Sequence, residues 1–201
     1  MLIDIVILPP EKIRNILGSR MKKEVSDSSN FFVVDNKNLI PHLSLWHLKT
    51  SEKKLSKIAK ELQQVVDKQK PIKVITSRFR VIKKYKGCVE FPVKNNRSLE
   101  ILQKKVFEKI YHYKTGIMPP FASFLKLDKT DKKLSEIKKY GRSLGFHPHF
   151  TMGWLKNEED ILRVVKNMQK VKVSFLTKEI YICEVDRLWQ VKRIIRKINF
   201  V

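Results

Sequence analysis

The chain has 201 residues, with 43 Lys and Arg against 20 Asp and Glu and a formal net charge of +23. That length suits one large core or two small packed lobes and excludes two independent enzymes. A hydrophobic content of 42% and a charged content of 31% are those of a folded protein, and no Gly-, Pro- or Ser-rich tract offers a linker or a disordered domain. A basic surface favours polyanionic partners, but the Lys residues are spread over nearly every predicted helix. Charge alone therefore leaves RNA binding and simple solubility evenly matched. Cys88 and Cys183 form no disulfide framework and no zinc pattern, and read as buried free thiols in a reducing cytoplasm.

Residues 1–8 are apolar but short, broken by Asp4 and not preceded by basic residues. This pattern predicts a buried strand rather than a signal peptide or a membrane span. No other run approaches spanning length, so the expectation is a soluble, cytoplasmic protein. Pro9 and Pro10 introduce a helix over 11–23 with Glu11 at its positive end. After a polar turn at 26–30, residues 31–34 read as a strand ended by 35–38, and the next strand runs to about residue 48. Thr50 or Ser51 is expected to cap a helix in which Leu55, Ile58, Ala59, Leu62, Val65 and Val66 recur at helical spacing. Pro71 opens two strands, 72–81 and 86–93, with Tyr85, Lys86 and Gly87 at the hairpin turn. Asn95 or Asn96 precedes a helix carrying Leu99, Leu102, Val106, Phe107 and Ile110 and ending near Gly116. Residues 117–127 form an ordered connector, and Leu134, Ile137 and Tyr140 mark a short helix stopped at Gly141. A strand ending near residue 155, a helix beginning at 157–160 and two strands complete the chain. Each half thus offers about four strands and one or two helices, the inventory of an α+β protein with two antiparallel sheets.

One phrase occurs twice, as Pro41-His42-Leu43-Ser44-Leu45 and as Pro148-His149-Phe150-Thr151-Met152. The alternation is that of a half-buried strand, in which His42 and Ser44 share one face and Leu43 and Leu45 the other. His149 and Thr151 are partners in the same sense. Each Pro presets its own φ and biases the residue before it toward an extended conformation, so both strands begin at a fixed place. Two imidazoles, each with a hydroxyl beside it, are the parts needed to move protons around a phosphate.

These two motifs resemble those of the 2H phosphoesterases, the LigT-like or 2′-5′ RNA ligase superfamily that includes 2′,3′-cyclic phosphodiesterases. That family is defined by two His-apolar-Ser/Thr-apolar motifs, one in each half of a bilobal chain. The stretch 179–200 also looks like its closing hairpin. The resemblance implies a single domain over residues 1–201 made of two pseudo-symmetric lobes, with two antiparallel sheets forming a central cleft and helices outside. It implies opening of a 2′,3′-cyclic phosphate, or making or breaking a 2′-5′ phosphodiester, on RNA 3′ ends, oligonucleotides or cyclic nucleotides. His42 and His149 would be the catalytic pair, and Ser44 and Thr151 would hold the phosphoryl oxygens. No metal or other cofactor is required, and a monomer is expected. In many relatives the first-motif His is the acid and the second-motif His the base, which would make His42 the acid and His149 the base.

Other residues near the motifs are weaker candidates. Trp46, at the parity of His42, and Trp154 are candidates to stack on a base, and Arg187 and Trp189 of the closing hairpin to reach a phosphate or base, although core packing accounts equally well for Trp46 and Trp154. His42, His47, His147 and His149 could supply metal ligands, but His47 has the opposite strand parity to His42 and no carboxylate has ligand spacing. The third class is a basic RNA-binding module that kept the fold without activity. Such a module would show steep salt dependence of RNA affinity and no turnover.

Overall fold

The computed structural model describes residues 1–82, 87–94, 96–119, 131–141 and 144–201, the side chains of 131–134 excepted. Strand β1 (Leu2–Ile7) leads into helix α1 (Glu11–Glu24), then β2 (Asn30–Val33) and β3 (Leu43–Lys49). Helix α2 (Leu55–Val66) is followed by β4 (Ile72–Ile75), β5 (Arg80–Val81), β6 (Cys88–Pro92) and helix α3 (Arg97–Ile110). Helix α4 (Asp131–Tyr140), β7 (His149–Leu155), α5 (Glu158–Met168), β8 (Ser174–Thr177), β9 (Glu179–Val185) and β10 (Val191–Asn199) complete the order. The architecture is α+β, as expected, with helices laid against antiparallel sheets.

The large sheet has the order β10-β9-β1-β3-β7-β6-β5, and β2 also pairs with β7. It joins the two halves of the chain through one point. Strand β3 meets β7 at the pair Leu43↔Phe150, and both side chains are fully buried. From Gly153 onward the same edge of β7 is occupied by β2, in the register Val33↔Gly153, Phe32↔Trp154 and Asn30↔Leu155. An edge hydrogen-bonds to one neighbour at a time, so β3 is confined to the first residues of β7 and the two halves part beyond them. The expected pair of sheets is therefore continuous at its hinge.

A second sheet consists of β4 and β8, from Ile72↔Thr177 to Ile75↔Ser174. The stretch read as one strand over 72–81 is thus two strands in different sheets. Between them the backbone N–H of Thr76 donates to Val173 and that of Ser77 to Pro92, while Phe79 packs edge-on to Phe91 at 4.5 Å. The closing segment likewise has three strands rather than two. Tyr85, Lys86, Pro120 and the connector over 120–127 lie outside the described residues. Gly87 is at φ +88°, and a Cβ there would lie 2.0 Å from the Leu155 carbonyl, the residue whose N–H donates to Gly87. Only glycine fits where β6 begins beside the end of β7.

Helix periodicity was well marked in the sequence. Helix α2 buries Ile58, Ala59, Leu62, Val65 and Val66, and α3 buries Leu99, Leu102, Val106 and Ile110. They pack on each other, on β10 and on β3. The Asn96 side chain caps α3 by accepting from the N–H groups of Ser98 and Leu99. Thr50 caps nothing: its hydroxyl donates to the Tyr113 carbonyl, and a 3-10 turn after Ser51 leads into α2. The main core takes Ile3, Ile5 and Ile7 of β1. The opposite face of β1 carries Val6 into a smaller cluster with Leu8, just past the strand, and with Met118, Val185 and Val191. Replacing Phe150 by Ala empties the junction of the two halves, so a loss of about 3–5 kcal/mol in urea unfolding is expected.

Candidate active site

Both motif strands are bulged, and at the same place. In β3, Ser44 faces Val6 and Trp46 faces Ile5, which leaves Leu45 as an extra residue. In β7, Thr151 faces Glu90 and Gly153 faces Val89, which leaves Met152 extra. A bulge shifts every later side chain to the other face of the strand. The repeat is therefore longer than the five-residue phrase, since it includes its own register shift.

The shift overturns two expectations. Trp46 does not line a cleft: it is buried in the main core, with its ring 4.6 Å from Phe107 of α3. His47 does share the face of His42, because the bulge restores it to the side of Ser44 and Asp4. Trp154 occupies the position in β7 that His47 occupies in β3. It is buried among Phe32, Val34 and Cys88, with Phe31 edge-on at 5.4 Å, and so does not offer a stacking surface. Arg187 is exposed in the loop between β9 and β10, two residues before Trp189. His42, Ser44, His149 and Thr151 are brought together by the Leu43↔Phe150 junction, which His42 and His149 flank.

The two histidines are held in matching ways. His42 Nδ1 lies 2.8 Å from the Ile40 carbonyl, and His149 Nδ1 lies 2.6 Å from the His147 carbonyl. A carbonyl only accepts, so each Nδ1 carries the proton and donates, and each Nε2 is the nitrogen left to exchange one. Ile40 is itself anchored, its N–H donating to Val191 of β10 at 2.8 Å. Each Nε2 also faces a buried carboxylate from the neighbouring strand. Asp4 Oδ2 of β1 is 3.9 Å from His42, and Glu90 Oε2 of β6 is 3.5 Å from His149. Arg80 takes the other oxygen of Glu90, with Nε at 2.9 Å and Nη2 at 2.8 Å.

Their surroundings differ. The His42 side chain is 4% exposed and that of His149 is 34% exposed. Burial pushes the His42 pKa down; Asp4 and the hydrogen bond to Ile40 oppose this, and the charges of His47 and His149 add to it, so the net direction is downward. For Asp4 burial acts upward, but His47, His42 and Ser44 together hold its carboxyl below the usual range. His47 Nε2 is 3.0 Å from Asp4 Oδ2 and 3.5 Å from Ser44 Oγ, under a Trp189 ring 4.7 Å away.

Glu90 and Arg80 were not singled out from the sequence, where Asp4 figures only as a break in an apolar run, His47 only as a possible metal ligand and Trp189 only as a residue of the closing hairpin able to reach a phosphate or base. Asp4 and Glu90 carried a usable signal, a charge inside a strand otherwise apolar on both faces, since carboxylates are almost never fully buried unless paired. Among the described residues, no three His, Cys, Asp or Glu side chains converge as a metal ion would require. His47 Nε2 is engaged by Asp4, and His147 serves His149 through its carbonyl.

The buried histidine has a consequence for stability. Below about pH 6.5 the unfolded chain takes up the His42 proton that the folded chain resists. Stability therefore falls as pH drops through this range, by at most about 1.4 kcal/mol per pH unit, until the folded imidazole also protonates. Urea midpoints measured from about pH 8 down to pH 5 should show this decline, and His42→Gln should flatten it.

Neither known family models nor curated protein sequences match the chain. Solved structures do. TT0787 of Thermus thermophilus superposes with a TM-score of 0.60 at 11% identity, covering 100% of this chain and 98% of that one. E. coli LigT complexed with NADP+ gives 0.58 at 11% identity, covering 99% and 96%. A structure described as a phosphoesterase gives 0.57 at 14% identity, covering 99% and 97%. Over its whole length, the chain has the fold of these proteins, the LigT-like fold.

Proposed function

We propose that the chain is a 2H-type phosphoesterase acting on 2′,3′-cyclic phosphate or 2′-5′ phosphodiester bonds of RNA ends or nucleotides. One observation carries this reading: two histidines, related by the internal repeat, each have Nδ1 tied to the carbonyl two residues back and Nε2 free to exchange a proton beside a Ser or Thr. The likeness to E. coli LigT supports it, since that protein has been solved with 3′-AMP and with ATP.

The environments suggest a division of labour. Burial favours neutral His42, whose Nε2 lone pair is then available as a base. Its nearly closed setting suits a partner as small as water. His149 is more open, and Glu90 stands as counter-ion for a positive charge on it. In hydrolysis, His42 takes a proton from the attacking water as its oxygen bonds to phosphorus. His149 gives the Nε2 proton to the sugar oxygen as the P–O bond breaks. Ser44 and Thr151 donate hydrogen bonds to the non-bridging oxygens, where charge collects in the transition state. This reverses the acid and base roles that the resemblance implies. The chemistry needs no metal, and we take the working form to be a monomer.

The test is incubation of the purified protein, in EDTA, with the four 2′,3′-cyclic nucleotides and with an RNA ending in a cyclic phosphate. Phosphorus NMR reports the product. Turnover with a bell-shaped pH–rate profile is expected, falling about 10²–10⁴-fold in His42→Ala and in His149→Ala. Ser44→Ala and Thr151→Val should each cost about 10²-fold. RNA binding without turnover on any substrate, lost steeply with salt, would replace this reading with the RNA-binding module that the +23 charge also suits.

A further inference from the structure

The Asp4–His47 pair lies beyond the two motifs, and the proposed reaction does not use it. Asp4 is fully buried in β1, between β3 and β9. One of its oxygens, Oδ2, faces two imidazole nitrogens, His47 Nε2 at 3.0 Å and His42 Nε2 at 3.9 Å. Trp189 covers His47 from the loop between β9 and β10. It holds an uncommon left-handed φ of 60°, and its Nε1 donates to the Pro119 carbonyl at 3.0 Å. A non-glycine residue kept at positive φ costs free energy, so the fold gives up some stability to keep this ring in place. Ser44 of β3 also faces the pair, with Oγ 3.5 Å from His47 Nε2 and a hydrogen bond that helps to hold Asp4 charged. Cys183 of β9 is opposite Asp4, and burial pushes its thiol far up, so it stays neutral. The charge of Arg14 of α1 reaches Cys183, and that of His149 of β7 reaches His42.

A buried carboxylate balances one imidazolium. A second proton on the same cluster would be an uncompensated charge out of water, which is costly. We infer that Asp4 is a counter-ion shared by His42 and His47, and that His47 is a positioning residue which competes with His42 for it and so sets how readily His42 carries a proton. When His47 is protonated it takes Asp4 for itself, and His42 stays neutral. When His47 is neutral, Asp4 supports a proton on His42. The meaning of this coupling for catalysis rests on the function proposed above; the coupling itself does not.

The experiment is a titration of the histidine ring signals of the full chain by NMR, without substrate. Asp4→Asn should lower the His42 midpoint by about one pH unit, a tenfold loss of proton affinity, and His47→Gln should raise it by a similar amount. Opposite signs separate this mechanism from loosened packing, which would move His42 the same way in both variants. If both variants leave His42 in place, or shift it in one direction, the inference is wrong. Should Asp4→Asn fail to fold, the wild-type chain decides: His42 and His47 must titrate in linked steps, each curve showing an inflection at the midpoint of the other. A simple one-step curve for His42 overturns the inference. The pH–rate profile of cyclic phosphate hydrolysis, measured on the same variants, should follow the His42 midpoint. A chain that shows the linked titration but no turnover would refute the proposed reaction and leave the shared counter-ion standing.

Discussion

Strand β7 has one edge to offer and two strands to pair with it. Because β2 takes that edge from Gly153 onward, β3 keeps contact only near Leu43↔Phe150. The rest of the molecule follows from this division. The two halves are joined tightly enough that a pair of fully buried side chains forms the joint, and are held apart elsewhere. The residues next to that joint, His42 just before β3 and His149 at the start of β7, are brought together from opposite halves of the chain. Positions beside paired strands are held more precisely than positions on long loops, which suits the proton transfers proposed for this site.

A duplicated backbone has been given two different electrostatic settings. Both histidines are pinned through Nδ1 and both face a carboxylate from the adjacent strand. In one half the carboxylate is buried and shared with a second imidazole. In the other it is tied to Arg80, whose side chain is mostly exposed. Symmetry of fold with asymmetry of solvation gives two identical side chains different surroundings, and the proposed division into acid and base rests on that difference.

The fold, and the placement of His42, Ser44, His149 and Thr151 at the start of two strands, were legible in the sequence because they rest on local rules. Alternation around His42 and His149 marks a half-buried strand, and the helical spacing of Leu62 with Val65 and Val66 marks a buried helix face. What was not legible depends on a single inserted residue. The bulges at Leu45 and Met152 leave the composition of their strands unchanged but reverse the parity of everything after them. Trp46 was therefore placed on the wrong face and His47 was excluded from the right one. The division of 72–81 between two sheets was hidden for a related reason: strand propensity at Ile72 and at Val81 says nothing about which partner each finds. Asp4 was visible as an anomaly in an apolar strand, but its meaning needed a neighbour in another strand.

The large sheet ends in two edge strands, which present unpaired N–H and C=O groups to any passing strand of another chain. At one end β5 has two residues, Arg80 and Val81, too few to template a partner. At the other, β10 is nine residues long and would be an inviting edge if it were neutral. It carries Lys192, Arg193, Arg196 and Lys197; Arg193 pairs with Glu184 and Lys197 with Glu179 of β9, and Lys192 and Arg196 still give the edge a positive charge that two copies approaching along it would bring together. Part of the large positive charge thus has work that involves no ligand. Like charges along an edge strand oppose its pairing with a second copy of the same edge.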